Sequence, residues 1–179
     1  MKQIANGRDG IKVVEKGLII DKTAPLLAAS IDGEVYDPTA KHSLTGNLEI
    51  KYVQFPTKLN IENKCNDGLL KYIAGGIKNS CLELTSENTL KLKTTHHYYS
   101  QIQGGMGVTQ RKWCDLAIYS YFGDKEDLFI ERIYFDPIFW MKLKSTLLNF
   151  CLYATVPEIL TQRIKRGKHL NPVKFIYKK

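Results

Sequence analysis

Two long apolar segments separated by a short polar turn constrain the fold of this chain more than any other feature. The segments are WCDLAIYSYF (113–122) and LFIERIYF (128–135), both rich in β-branched and aromatic residues. The turn between them, GDKED (123–127), is polar and contains a glycine. This pattern predicts two paired strands joined by a tight connection, so the chain must contain a sheet.

Further strand and helix signals surround this hairpin. Strands are predicted in IKVVEKGLII (11–20, either one strand or a hairpin around Gly17), PLLAAS (25–30), EVYD (34–37), NLEIKYVQF (47–55) and, as a second hairpin, CLELTSENTLKLK (81–93). Helices are predicted within 60–76, over 95–109 with Thr94 or Thr95 as N-cap, from Asp136-Pro137 to about Ala154, and from VPEIL (156–160) onward. The element order is that of a mixed α and β protein.

Composition limits the class of protein and its partners. The 179 residues correspond to about one domain, and 44% of them are hydrophobic, which is enough for a sizeable core. The 26 Lys and Arg outnumber the 18 Asp and Glu, for a net charge of +8. This balance favours a polyanion such as nucleic acid as partner, or a membrane surface; the alternative is a basic domain with neither. No apolar run approaches the roughly 18 residues of a membrane span.

The four cysteines argue for a reducing compartment. Cys65, Cys81, Cys114 and Cys151 are widely spaced and form no C-x-x-C pair, so a zinc ribbon or a thioredoxin-type site is not expected. The first residues, MKQIANGRDG, carry no apolar signal region. We therefore expect reduced thiols in an intracellular protein, nuclear or cytoplasmic rather than secreted.

A carboxylate and an ammonium group share one face of the predicted strand LEIK. Glu49 and Lys51 are two positions apart and project together, and Asp32 precedes them in a turn. One interpretation is a solvated ion pair of little energetic value. The other is a metal site in which Asp32, Glu49 and the carbonyl of Ile50 offer oxygen ligands to Mg²⁺, with Lys51 beside a bound water.

The segment THHYYSQIQGGMGVTQRKWCD adds polar groups on a second element. If it is helical, Tyr98 and Gln101 lie on one face, and the Gln101 amide can bond a water or a phosphate oxygen. Gly104, Gly105 and Gly107 each cost on the order of 1 kcal/mol in a helix interior, so a close approach must compensate, or else the helix ends near Gly104. The neighbouring His96 and His97 diverge on a helix and are predicted to be surface or capping residues.

Several of these segments together resemble one family. GLIIDKTAPLLAASIDGEV, NLEIKY, the stretch from CLEL to DLAIYS, and ERIYFDPIFW are similar in order and motif to the YqaJ-type viral recombinase domain, which is related to the phage lambda exonuclease within the PD-(D/E)XK nucleases. The resemblance covers roughly residues 11 to 150. It implies a restriction-endonuclease-like core, with a central mixed β-sheet flanked by helices, and Mg²⁺- or Mn²⁺-dependent hydrolysis of phosphodiester bonds in DNA.

The resemblance also implies roles for individual residues. The family's S-P-D-G turn corresponds to Ser30–Gly33 and its L-E-I-K strand to Leu48–Lys51. Asp32, Glu49 and the Ile50 carbonyl are then the metal ligands, and Lys51 positions the attacking water. Tyr98, Gln101 and Gln103 match the family's Y-x-x-Q-x-Q helix, with Gln101 as the active-site amide and Tyr98 near DNA. The phage relative is a ring-shaped trimer, which suggests a homo-oligomer.

The chain also departs from the family pattern. Ile31 replaces a proline, GGMGVT replaces a GQLAVT-like stretch, and the family's N-terminal helical segment has no counterpart. We accordingly expect an N-terminally truncated nuclease core over 1–154 and a basic helix and tail over 155–179.

That basic C-terminal segment has no acidic residue from Thr161 onward, and its cations either contact DNA phosphates or are solvated. The candidate DNA contacts there are Arg163, Lys165, Arg166 and Lys168. Three possibilities remain open at this point: a DNA nuclease acting in recombination or repair, for which linear duplex is the expected substrate; a catalytically inactive DNA-binding remnant of such a nuclease; and an inert fragment of a mobile element that folds poorly.

Overall fold

A five-stranded mixed sheet forms the centre of the structure, a computed structural model that describes residues 10–53, 68–76, 80–122 and 125–169. The described strands are β1 (Lys12–Val14), β2 (Leu18–Ile20), β3 (Ala28–Ser30), β4 (Gly33–Tyr36), β5 (Thr45–Tyr52), β6 (Leu82–Leu84), β7 (Leu90–Leu92), β8 (Trp113–Phe122) and β9 (Lys125–Tyr134). The central sheet has the order β1-β4-β5-β8-β9. Its β5–β8 pair is parallel and its other pairs are antiparallel.

The helices follow the strands as the sequence predicts. They are α1 (Leu69–Gly76), α2 (His97–Thr109), α3 (Pro137–Phe150) and α4 (Val156–Thr161), with a π turn at Cys151–Thr155 and a 3₁₀ turn at Ile164–Arg166. Both predicted hairpins form, β6–β7 and β8–β9. The predicted central mixed sheet flanked by helices is confirmed. Within the described part of the chain, no helix is long and apolar enough to cross a membrane.

Each face of the central sheet has its own apolar core, because side chains alternate along the strands. On one face, Leu116 and Ile118 of β8 belong to a cluster with residues of α1, α2 and the β6–β7 hairpin. On the other face, Leu48 of β5 packs with Trp113 and Ala117 of β8. Polar residues of β5 at odd positions therefore face the side of the sheet that α2 covers.

Both alternatives predicted for 11–20, one strand or a hairpin around Gly17, are wrong, because this segment forms two separate strands. β1 and β2 do not pair with each other: β1 pairs with β4 in the central sheet, and β2 pairs with β3 in a separate two-stranded sheet. Each of these two strands pairs over three residues with a later strand. β3, the partner of β2, ends at Ser30, two residues before Asp32.

Two helix boundaries also differ from the prediction. The N-cap of α2 is His96, whose imidazole accepts a hydrogen bond from the N–H of Tyr98, rather than Thr94 or Thr95. The helix that begins at Asp136 does not end at Ala154 but passes through the π turn directly into α4. Pro157 explains the π turn, because a proline provides no N–H and its ring conflicts with the carbonyl four residues earlier.

Other predictions fall partly outside the described residues. Cys81, Cys114 and Cys151 are free thiols in the structure, as predicted, whereas Cys65 lies outside the described ranges. The same is true of 54–55 at the end of the predicted third strand, of 60–67 before α1, and of 170–179 in the basic tail.

Candidate active site

Glu49 and Lys51 lie side by side on one face of β5, as the two-residue period of a strand predicts. Glu49 is only 4% exposed, and the Lys51 ammonium makes a short ion pair with its Oε1 atom. Leu48 faces the opposite core, against Trp113. Since the carboxylate is buried, the alternative of a solvated surface pair is wrong.

Asp32 stands at the exposed end of β4, where the backbone ladder between β4 and β5 ends. The last backbone pair of that ladder is Gly33 with Leu48. Two residues further along β5, the N–H of Ile50 donates to Oδ2 of Asp32 at 2.7 Å. Because the N–H and C=O of one strand residue point to the same side, the Ile50 carbonyl faces the side on which Asp32 lies.

Gln101 reaches the same carboxylate from α2. Its Nε2 atom donates to Oε1 of Glu49 at 2.5 Å, so this oxygen accepts from both Gln101 and Lys51. The far end of α2 is joined to β5 by a 3.0 Å hydrogen bond between Asn47 and Thr109. The helix is therefore fixed against the strand that carries Glu49.

The glycines of α2 allow neighbouring elements to approach closely. A β-carbon on Gly107 would lie 2.2 Å from Cε2 of Trp140 on α3. Any residue other than glycine at position 107 would therefore clash with the Trp140 ring unless that ring moved. A β-carbon on Gly105 would lie 3.5 Å from Cγ2 of Ile31, the residue before Asp32. The helix continues through these glycines to Thr109, so the alternative in which it ends near Gly104 is wrong.

Tyr98 and Gln101 do share one face of α2. The Lys51 ammonium lies 5.1 Å from the centroid of the Tyr98 ring, within the range of a cation–π contact. His96, predicted to be a surface or capping residue, is the N-cap. Its imidazole and that of His97 both pack edge-on against Tyr98. The structure thus places Tyr98 beside Lys51.

Burial destabilises the charged form of the Glu49 carboxylate. Desolvation raises the pKa of Glu49, and the ion pair with Lys51 only partly opposes it, while the nearby charge of Asp32 raises the pKa further. Burial raises the pKa of the Cys114 thiol well above its usual value, and the charges of Glu49, Asp115 and Asp32 add to that effect. A cation placed near these carboxylates would relieve this cost.

The oxygen atoms at this point fit a hard divalent cation. Among the described residues, the hydrogen bonds that Glu49 accepts both end on Oε1, and the bond that Asp32 accepts ends on Oδ2. Each carboxylate therefore retains an oxygen for a metal. No group of three or more His, Cys, Asp or Glu side chains with metal-binding geometry occurs in the described ranges. Two carboxylates and a carbonyl, completed by waters, suit Mg²⁺.

The four basic residues predicted to contact DNA are not bonded to the cluster around Glu49 in the part of the chain that the structure describes. Arg163, Lys165, Arg166 and Lys168 occupy the turn after α4 and its flanks, where all but Arg163 are exposed. In the described chain, no hydrogen bond or ion pair links them to Asp32, Glu49 or Lys51. Arg163 instead donates from Nε to the carbonyl of His169 at 3.0 Å.

No feature of the sequence predicted the apolar cavity beside this cluster. Glu49 and Gln101 line one part of it, and Trp140 and Leu143 of α3 line another. Its walls come from residues within 26–31, 100–108 and 140–147 together with Glu49, so no local motif reveals it.

Gln103 has a structural role. It is buried, donates to the carbonyl of Tyr134 and accepts from the N–H of Asp136.

The central mixed sheet flanked by helices is a fold shared with solved exonuclease structures. The chain resembles the crystal structure of an alkaline exonuclease (LHK-Exo) from Laribacter hongkongensis, with a TM-score of 0.54 and 24% identity over 93% of this chain and 66% of that one. It also resembles the complex of LHK-Exo with dAMP, with a TM-score of 0.56 and 24% identity over 93% of this chain and 67% of that one. The chain thus spans about two thirds of these structures, and at this identity the likeness concerns the fold. No protein-family model matches the chain, and no curated protein matches it significantly.

Proposed function

We propose that this protein is a metal-dependent DNA exonuclease of the YqaJ type, which hydrolyses phosphodiester bonds in recombination or repair. One observation carries the proposal: Asp32, Glu49, Lys51 and Gln101 come from three separate elements and meet at one partly exposed point of the sheet. The fold likeness to an alkaline exonuclease, solved also with dAMP, supports a nuclease over other functions of this fold.

The proposed mechanism divides the work among these residues. Asp32, Glu49 and the Ile50 carbonyl would hold Mg²⁺ or Mn²⁺. When bound, the cation supplies positive charge that polarises the scissile phosphate and favours deprotonation of an attacking water. Lys51 orients that water from Nζ, and Gln101 keeps Glu49 in place through its Nε2 hydrogen bond.

DNA is the proposed partner, with linear duplex as substrate. Tyr98 lies beside Lys51, where a strand entering the site would contact it. The exposed cations Lys165, Arg166 and Lys168, with Arg163, would add phosphate contacts that do not depend on sequence. A homo-oligomer that surrounds the duplex would bring such contacts from several copies.

Cleavage of end-labelled linear duplex in Mg²⁺ or Mn²⁺ tests the function directly. Wild type should degrade the label, Glu49→Gln should not, and Glu87→Gln, an exposed carboxylate in the β6–β7 turn, should behave as wild type. Folding of all three proteins is checked by circular dichroism. Folded wild type that binds DNA without cutting it would contradict the nuclease and identify the alternative, an inactive DNA-binding remnant.

A further inference from the structure

Three tyrosines form an exposed aromatic surface at the end of the parallel pair β5–β8. Tyr52 lies directly opposite Tyr119 in the register of that pair, and Tyr121 follows two positions later on β8. The ring centroids are 6.4 Å apart for Tyr52 and Tyr119, 5.6 Å for Tyr52 and Tyr121, and 6.3 Å for Tyr119 and Tyr121. The side chains of Tyr52 and Tyr121 are about half exposed. These three rings are called the tyrosine surface below.

The tyrosine surface lies on the opposite face of the sheet from the candidate active site. Because side chains alternate along a strand, Tyr52 of β5 points to one face, and Glu49 and Lys51 point to the other. Leu128 of β9 pairs with Tyr119 and is also exposed, so it extends the surface on the same face. The proposed nuclease uses none of these exposed side chains, and the surface is a separate feature of the molecule.

A carboxylate stands beside the tyrosine surface. Glu126 of β9 is exposed and pairs directly with Tyr121 of β8, so the two side chains share one face. Desolvation raises the pKa of the Tyr119 phenol, and the hydrogen bond with Glu126 and its charge raise that pKa further. Within the described ranges, no ammonium or guanidinium group makes an ion pair with Glu126 or a cation–π contact with the three rings.

The same face of the sheet contains a comparable group that does have its cation. The Arg132 guanidinium of β9 lies 3.7 Å from the centroid of the Trp113 ring of β8. It also donates to both carboxylate oxygens of Asp115, from Nε at 2.7 Å and from Nη2 at 2.9 Å. An aromatic ring and a carboxylate thus hold one guanidinium at this end of the sheet. At the other end, the tyrosine surface and Glu126 offer the same two kinds of group.

We propose that the tyrosine surface and Glu126 bind an arginine side chain that another protein presents. The planar guanidinium stacks on an exposed tyrosine ring, whose face attracts a cation, and its N–H groups donate to both oxygens of the Glu126 carboxylate. Leu128 contacts the aliphatic stem of the arginine. A lysine fits less well, because its ammonium forms neither the planar stack nor the bidentate pair. The assignment does not depend on the proposed nuclease.

The local charge favours this partner over a nucleic acid. The net charge of +8 favours a polyanion for the molecule as a whole, but at physiological ionic strength exposed charges act over only about 8 Å. The charged group beside the three rings is the Glu126 carboxylate, which repels a phosphate backbone and attracts a guanidinium. Single-stranded DNA, whose bases also stack on aromatic rings, is the competing occupant.

Titration with an arginine peptide tests the surface. The probe is a glycine–serine peptide with blocked termini and two arginines, and the comparison probe carries two lysines in their place. Binding is followed by the NMR shifts of the protein during titration, which report weak affinities. Wild type should bind the arginine peptide more tightly than the lysine peptide, and the resonances of Tyr52, Tyr119 and Tyr121 should shift.

Matched variants locate the binding site. Tyr121→Ala and Glu126→Gln should each raise the dissociation constant of the arginine peptide about threefold or more, the range of an exposed cation–π contact or ion pair. Tyr121→Phe retains the ring and should bind as wild type. Tyr153→Ala, in the π turn, and Glu87→Gln, in the β6–β7 turn, change exposed residues of the same types elsewhere and should leave the constant unchanged.

Four results would overturn the proposal, with folding of every protein checked by circular dichroism. The first is that wild type does not bind the arginine peptide, and the second is that Tyr121→Ala and Glu126→Gln bind it as wild type does. The third is binding of a thymidine oligonucleotide that Tyr121→Ala weakens more than it weakens the arginine peptide, which would identify a base-stacking surface. The fourth is a smaller sedimentation coefficient of Tyr121→Ala than of wild type, which would identify a contact between copies.

Discussion

The carboxylate of Asp32 accepts a 2.7 Å hydrogen bond from the backbone N–H of Ile50, 18 positions further along the chain. It does so where the backbone pairing of β4 with β5 has just ended, at Gly33 and Leu48. The Asp32 side chain thereby continues the ladder and keeps Ile50 beside it. This hydrogen bond therefore fixes the position of the Asp32 carboxylate relative to β5, the strand that carries Glu49 and Lys51.

Asn and Ala at position 32 should separate the structural role of Asp32 from its chemical role. Asp32→Asn retains an oxygen that accepts from the Ile50 N–H, so its free energy of unfolding should stay close to that of wild type while cleavage is lost. Asp32→Ala removes the acceptor and should cost about 1 kcal/mol of stability as well. Urea denaturation measures the free energy of unfolding of both variants, and the cleavage assay measures their activity. Equal stability of both variants would show that the hydrogen bond does not support β5.

Glu49→Gln should make the protein more stable and inactive near neutral pH. Because burial raises the pKa of Glu49, the folded state favours the neutral carboxyl. That stabilisation is present below the ordinary carboxyl pKa and is lost as the pH rises through the raised pKa. Gln mimics the neutral form, so the variant should have a higher Tm at pH 7 than wild type. A lower Tm would mean that Lys51 and Gln101 stabilise the charge more than burial penalises it.

Mg²⁺ should stabilise wild type but not Glu49→Gln. A ligand that binds only the folded state adds RT ln(1 + [L]/Kd) to the free energy of unfolding, so the Tm of wild type should rise with the Mg²⁺ concentration. Thermal melts over a series of Mg²⁺ concentrations measure this change in Tm. Glu87→Gln is the control for non-specific ion effects. Parallel shifts in all three proteins would count against Glu49 as a ligand.

Lys51→Ala should abolish cleavage and leave DNA binding nearly intact. Its ammonium lies between Glu49 and the ring of Tyr98, where it can orient a water, and loss of such a group typically costs 10²- to 10⁴-fold in rate. Lys142→Ala, an exposed lysine of α3, controls for the lost charge. Binding by fluorescence anisotropy and cleavage are measured on the same duplex. A loss of binding as large as the loss of cleavage would indicate a phosphate contact instead.

The stability of the protein should fall in acid through Asp21. Burial alone would raise its pKa, but hydrogen bonds from Lys144 and Thr23 outweigh burial and lower the pKa of Asp21 to about 2. The stabilisation is therefore present above the ordinary carboxyl pKa of about 3.9 and is lost as the pH falls towards about 2. Asp21→Asn should be less stable at neutral pH and should lose less stability in acid. Urea denaturation at several pH values checks both, and a pH profile unchanged by the substitution would contradict the assignment.

Local patterns in the sequence determined much of the site. The two-residue period of LEIK places Glu49 and Lys51 on one face whatever the rest of the fold does, because alternation is a property of any strand. Asp136 followed by Pro137 likewise predicts the start of α3, where the Asp136 carboxylate accepts from the N–H groups of Ile138 and Phe139. These features depend on residues at most three positions apart.

Only the tertiary structure decided which distant residues meet. β1 and β2 pair with different later strands, and no pattern within 11–20 distinguishes that outcome from a hairpin. The packing of Trp140 against Gly107 explains why a glycine-rich segment remains helical, and the cavity exists because α3 lies across α2 and the loop before β3. Such contacts join residues tens of positions apart, and their free energy depends on how the whole chain packs. The sequence therefore predicted that Glu49 and Lys51 share one face of β5, and the packing of the other elements decided which distant residues surround them.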